Sequence, residues 1–192
     1  MLIGITGSIS TGKSVVTDYL IKCGFNVIDA DKLAKAELYD PEVINELVDR
    51  FGNDILIKGR IDRQALGQLV FQDEEARKIL NAIIHPRVIK KMKDRIQTMS
   101  GLVFLDIPLL YETGLEQMVD KVIVVYTSQR TQLQRLMKRD DIDESFALQK
   151  IATQMDIETK RQRADFIVNN EDDLTQTYLQ IDDIIRRLQN EI

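Results

Sequence analysis

The chain has one cysteine, one histidine and no apolar run long enough to cross a bilayer. One cysteine excludes an intramolecular disulfide, and a single cysteine with a single histidine excludes a structural zinc cluster. A helical membrane span needs about 18 uninterrupted apolar residues, and nothing here approaches that. The first residues show no basic stretch followed by an apolar core and a cleavage site, so a cytoplasmic protein is expected. Charge of one sign is also scarce: 26 Lys and Arg against 31 Asp and Glu leave a net −5. Such a balance argues against general adhesion to nucleic acid or to anionic lipid, although a local basic channel is compatible with it. No obligate protein partner is evident. Cys23, placed where a first helix should end before Gly24, reads as a small buried hydrophobe.

What is present begins at once. Residues 7–14 read Gly-Ser-Ile-Ser-Thr-Gly-Lys-Ser, directly after the apolar run Met1-Leu2-Ile3-Gly4-Ile5-Thr6 and before an amphipathic stretch. This is a phosphate-binding loop in the strand–loop–helix setting that its chemistry requires. Gly7 and Gly12 allow the backbone to approach an anion closely. Successive N–H groups and the helix N-terminus then face the phosphates. Lys13 is expected to reach the β/γ-phosphates, and the Ser14 hydroxyl to ligate Mg²⁺. The motif implies a nucleoside triphosphate.

Five short apolar runs, Leu2–Thr6, Phe25–Ile28, Leu102–Ile107, Lys121–Tyr126 and Asp165–Val168, alternate with helix-like segments. That pattern predicts an α/β fold, a doubly wound five-stranded parallel sheet of the P-loop NTPase type. The first helix is expected over Lys13–Lys22. The 32–99 segment should be mostly helical, with Pro41 in a first turn after Asp40, Asp73 as an N-cap, and loops at Gly52 and Lys58-Gly59-Arg60. It is far longer than a crossover needs and reads as an inserted helical substrate lobe. A basic stretch at 139–163 reads as a helical lid. The core then comprises 1–31, 100–138 and 164–192, closing with an amphipathic helix from Leu174 to Leu188.

The loop names a nucleotide, not a reaction. No guanine-reading Asn-Lys-x-Asp follows a strand, so a GTPase is disfavoured and a small phosphotransferase remains. Val27-Ile28-Asp29-Ala30-Asp31 carries two carboxylates beyond the second strand, and extended alternation would turn both to one side. Asp31 fits the carboxylate that accepts a proton from the phosphoacceptor hydroxyl; its competing role is a cap for a helix starting at Lys32. Asp106, ending a buried strand, fits either the Mg²⁺ shell or a strand-end cap. On residue type alone, His85 reads as structural. Among the basic residues of the 139–163 stretch, Arg139 is favoured for direct phosphate contact.

Taken together and in order, these pieces resemble the dephospho-coenzyme A kinase family. The resemblance rests on the phosphate loop, on Asp29-Ala30-Asp31, and on Ile61-Asp62-Arg63-Gln64-Ala65-Leu66 with Val70-Phe71. It continues through His85-Pro86, Pro108-Leu109-Leu110-Tyr111-Glu112, Arg139-Asp140, Ile151-Ala152-Thr153-Gln154-Met155, Ala164-Asp165 and Asn169-Asn170. It implies transfer of the ATP γ-phosphate to the ribose 3′-hydroxyl of dephospho-CoA, with Mg²⁺ accompanying ATP. By matching motif it implies catalytic roles for Asp31, Lys13 and Arg139. ATP contacts would come from Ser10, Thr11, Gly12, Lys13, Ser14, Val15 and Asn170. Acceptor contacts would come from Asp31, Arg63, His85 and Glu112, and metal contacts from Ser14 and Asp106. The chain departs from the family pattern at Ser8 and Ser10, where glycine is usual, at Lys150 in place of Arg, and at Asp156 in place of Pro. A different small-metabolite kinase, such as a nucleoside monophosphate kinase, is the alternative. A non-enzymatic nucleotide-gated regulator is a more distant one.

Overall fold

A computed structural model describes residues 1–192. The strands are β1 (Leu2–Thr6), β2 (Asn26–Asp29), β3 (Leu56–Ile57), β4 (Arg60–Ile61), β5 (Val103–Asp106), β6 (Lys121–Tyr126) and β7 (Phe166–Asn169). The helices before residue 100 are α1 (Lys13–Lys22), α2 (Ala30–Glu37), α3 (Pro41–Phe51), α4 (Arg63–Gln72) and α5 (Glu74–Ile96). Those after it are α6 (Gln129–Asp140), α7 (Glu144–Ala152), α8 (Ile157–Gln162) and α9 (Leu174–Asn190). The chain divides into two compact units, one of Met1–Asp29 with Met99–Ile192 and one of Ala30–Thr98. No helix is long and apolar enough to cross a membrane.

The first unit holds a five-stranded sheet in the order β2-β5-β1-β6-β7, parallel at every pairing. All five expected strands form, with bounds shifted by a residue at β2, β5 and β7. Strands buried on both faces need unbroken apolar sequence, and β1 shows it: Ile3, Gly4, Ile5 and Thr6 are all buried. Ile3 and Ile5 pack with Phe104, Ile123, Val125 and Val168 against Val16 and Leu20 of α1 and Ile181, Ile184 and Leu188 of α9. Gly4 turns to the other face, where an added Cβ would lie 2.9 Å from Leu110 and 3.2 Å from Val119. The strand order reverses at β1, and the crevice beyond the strand C-termini there is where such sheets bind ligands.

The second unit is helical apart from a small antiparallel hairpin, β3–β4, at the loop expected around Lys58-Gly59. Strands of two residues carry no periodicity, so the sequence could signal only the turn. Asp40 accepts from the Glu42 N–H at 2.9 Å with Pro41 in the first turn, and Asp73 accepts from Glu75 at 2.8 Å, as their positions predict. Glu37 of α2 is buried and paired at 2.5 Å with Lys91 of α5. Pro86 lies inside the 23-residue α5. A proline there disturbs the carbonyls one turn back, and the Arg87 guanidinium donates to one of them, Ile83, at 3.1 Å.

Cys23 departs from expectation. It is exposed at the C-cap of α1, while Val16 and Leu20 of the same helix are buried.

Candidate active site

The phosphate loop runs from the buried end of β1 into α1. Gly7 is required by space: a Cβ would meet Thr11 Oγ1 at 2.6 Å and the Val125 carbonyl at 2.8 Å. Thr11 is buried and its hydroxyl donates to the Ser8 carbonyl at 2.9 Å, so it tightens the loop from within. Gly12 caps α1 in the left-handed region, φ 87°, with no side-chain cap and no acidic residue in the first turn. The Val15 N–H already donates to the Gly12 carbonyl at 2.9 Å. Ser10 also has positive φ, 61°, which a glycine would adopt without strain, and its hydroxyl is buried without a partner. The Ser8 hydroxyl turns away to the Met155 carbonyl, 3.1 Å distant.

Lys13, the first residue of α1, is ion-paired with Asp106 at the end of β5, and the two side chains are 18% and 7% exposed. Ser14, next along the first turn, is exposed. Asp29 ends β2 directly opposite Asp106, so two carboxylates stand in register at the C-terminal edge of the sheet. Asp31 is not their extended neighbour. The helix starts at Ala30, so Asp31 lies exposed in the first turn of α2, and it does not cap a helix beginning at Lys32. Alternation stops where the backbone coils, and burial of Ala30 and Leu33 sets that point.

Asn170, carried here by the turn after β7, is 4% exposed. Its Nδ2 donates to the Thr11 carbonyl at 2.9 Å, and its Oδ1 accepts from the Thr177 hydroxyl at 3.0 Å. A Cβ on Gly12 would come within 2.0 Å of that Nδ2. Asn170 therefore braces the phosphate loop from behind. Beside the same point lies Arg135 of α6, its Nη1 4.0 Å from where a Gly12 Cβ would be and its Nη2 donating to the Glu171 carbonyl at 3.1 Å. The Glu171 carboxylate in turn holds the start of α6, accepting from Thr127, Thr131 and both the hydroxyl and N–H of Ser128.

One turn further along α6, Arg139 is exposed and donates to Asp140 at 2.8 Å. Lys150 reaches the other oxygen of the same carboxylate, also at 2.8 Å. Hydrogen bonds from Arg139 and then Lys150 hold the Asp140 carboxyl well below the usual range. Asp156 caps α8, accepting from the Thr159 N–H at 3.1 Å. Glu112 accepts from the Met155 N–H at 2.9 Å and pairs with Lys160 at 2.9 Å.

In the second unit, Arg63 is the exposed first residue of α4, whose cap, Asp62, accepts from Gln64 at 2.9 Å. His85 lies half-buried in α5, and burial lowers its pKa, which keeps the imidazole neutral near pH 7.

The model of the family described as dephospho-CoA kinase matches residues 1–176. The chain belongs to the dephospho-CoA kinase family. A dephospho-CoA kinase of Shouchella clausii is 42% identical, with all of both chains covered. One from Oceanobacillus iheyensis is 40% identical over 97% of each chain. The solved dephospho-CoA kinase of Campylobacter jejuni is 33% identical, with a TM-score of 0.76 over 99% of this chain and 98% of that one.

Membership gives the activity. The protein is a dephospho-CoA kinase by family, transferring phosphate to a hydroxyl group, and the nucleoside monophosphate kinase alternative is not favoured. The first unit brings Gly7 through Val15, Asp106 and Asn170 into one array. Two residues around that array went unsignalled in the sequence. Arg135 looks like any other cation on a polar helix face, and only its helical spacing from Arg139, four residues, hinted that both face one way. Lys160 sits in a basic stretch, yet among its cations it alone is fully buried.

Proposed function

We propose that the loop from Ser10 to Val15 binds ATP, and that Lys13, Asp31 and Arg139 act on phosphoryl transfer to the ribose 3′-hydroxyl of dephospho-CoA. The observation that carries this reading is the uncapped start of α1. Its Gly12 turn leaves the first backbone N–H groups of the helix without a side-chain cap, beside a lysine held by a carboxylate. Those amides and the helix dipole suit a triphosphate, and Lys13 would exchange Asp106 for phosphate oxygens. Arg135 adds a second cation next to Gly12. The 139–163 segment would act as the lid, with Arg139 leaving Asp140 for the transferring group.

The acceptor side needs a carboxylate that takes up the proton of the ribose hydroxyl. Asp31, exposed at the first turn of α2, supplies it, with Arg63 and His85 as contacts to the anionic acceptor. The donor set around Lys13 also fits Mg²⁺. Ser14 offers a hydroxyl and Asp106 a carboxylate, while no group of three or more His, Cys, Asp or Glu could hold a metal alone. Mg²⁺ is usually held by one or two such oxygens and by substrate phosphates, whose charge it neutralises when bound. Both substrates are water-soluble anions, in keeping with a cytoplasmic enzyme that needs no protein partner.

Acceptor-dependent ADP release with dephospho-CoA, with the product identified by mass, tests the reading as a whole. Asp31→Asn is expected to lower kcat by about 10²–10⁴-fold and to leave ATP binding unchanged. Near-normal turnover in that variant removes Asp31 from the mechanism.

A further inference from the structure

Lys160 is completely buried, a position that an ammonium group tolerates only when its charge and protons are satisfied. Its Nζ pairs with Glu112 Oε1 at 2.9 Å and donates to the Pro108 carbonyl at 2.9 Å. The Thr6 hydroxyl, where β1 enters the phosphate loop, donates to that same carbonyl at 2.9 Å. Glu112 Oε1 also accepts from the Met155 N–H at 2.9 Å. The hinge between α7 and α8 is thereby tied to the pair, and it is tied equally to the loop. Ser8 Oγ donates to the Met155 carbonyl at 3.1 Å, and the Ile9 N–H donates to Gln154 Oε1 at 2.8 Å. From α6, Gln132 Nε2 completes the set by donating to the Ile9 carbonyl at 2.8 Å.

We propose that Glu112 and Lys160 are a positioning pair that fixes the Gln154–Met155 hinge on Ser8 and Ile9, and so sets the shape of the phosphate loop for ATP. The inference deepens the ATP-binding reading given above and rests on it. A buried ion pair is weak evidence for stability, because well-packed apolar residues of the same shape often serve as well. Geometry explains this pair better. One carboxylate oxygen is shared between a buried charge and the hinge N–H, so moving either partner moves the peptide that holds Ser8. The surroundings agree: burial chiefly lowers the Lys160 pKa, Glu112 opposes that, and the charge of Lys13 adds to the lowering. Glu112 thus turns toward the nucleotide side of the first unit, and its contacts there are internal ones.

The test uses the full chain with Glu112→Gln, Lys160→Met and the double variant. ATP affinity is measured calorimetrically without acceptor, alongside steady-state kinetics and amide exchange of the hinge. Each single variant is expected to weaken ATP binding about tenfold, to raise the KM for ATP and to speed exchange at Met155, with the KM for dephospho-CoA unchanged. The double variant should be no worse than the worse single, because the pair acts as a unit. A raised KM for dephospho-CoA with unchanged ATP affinity would make Glu112 an acceptor contact and overturn the proposal. Additive losses, or lower thermal stability alone, would also overturn it. If Lys160→Met does not fold, Ser8→Ala carries the test. A smaller loss of ATP affinity supports the tie, and no loss removes it. Failure of the unmodified protein to bind ATP would instead sink the ATP-binding reading itself.

Discussion

Apart from α2, which follows directly on β2, the N-termini of the helices fall into two kinds. Helices α3, α4, α5, α7, α8 and α9 each begin under an aspartate whose carboxylate accepts backbone N–H groups, and α6 begins under Ser128. Helix α1 begins under Gly12, with no side-chain cap and no acidic residue in its first turn. Capping residues stabilise a helix by closing its orphan amides; leaving them open sacrifices that stability and keeps a site for an outside anion. Other contacts hold the α1 terminus instead. Asn170 and Thr11 brace the loop, and Val16 and Leu20 bury the helix against the sheet. The difference separates helix ends closed by a side chain from the α1 end proposed to take a ligand.

Changes on either side of this divide should behave differently. Lys13→Ala removes the cation at the open terminus and should lower kcat/KM by about 10³-fold, read by steady-state kinetics with little change in Tm. Retained turnover would make α1 an ordinary helix start. Gly12→Ala puts a Cβ against Asn170 at a left-handed position. It should weaken ATP binding and cost about 1–3 kcal/mol of stability in denaturant unfolding. If ATP still bound at full strength, the loop would be looser than its contacts indicate. At a closed terminus, Asp73→Ala should cost about 1 kcal/mol of stability and leave kcat and KM per folded molecule as they were. A loss of turnover there would erase the distinction.

The smallest effect concerns Glu171. Burial pushes its pKa up, but hydrogen bonds from Thr127, Thr131 and Ser128 outweigh that and hold it at about 2, against an ordinary 4.5. A depressed carboxylate contributes stability above its unfolded pKa and loses it as pH falls through the folded one. The Tm of the natural protein should therefore drop further than that of Glu171→Gln as pH is lowered from about 5 to about 2. Parallel acid profiles for the two would show that the carboxylate contributes nothing at the start of α6.

Much of this was legible in the residues. The five strands were readable because a sheet buried on both faces needs apolar, β-branched runs, and each run is contiguous. Asp40 and Asp73 were readable as caps because capping reaches only two or three residues along the chain. The β3–β4 hairpin was not, being too short for a pattern. Asp31 was misplaced relative to Asp29 because the register at which strand gives way to helix depends on the burial of Ala30 and Leu33. Cys23 was placed inside on residue type alone, yet its surroundings leave it exposed.

The sequence by itself picked out Gly7–Ser14 as the proposed triphosphate site, because such a site is made from backbone amides of consecutive residues and two glycines that permit them. Family membership was equally open to reading, since its motifs are short and ordered along the chain. Only the tertiary structure decided what holds that loop. Asn170 reaches Thr11 across 159 positions, Met155 meets Ser8 across 147, and Lys160 meets Pro108 across 52. Local periodicity cannot encode such meetings. Closure of the sheet and burial of its flanking helices bring these groups together, and a buried polar group must then bond to whatever the fold sets beside it.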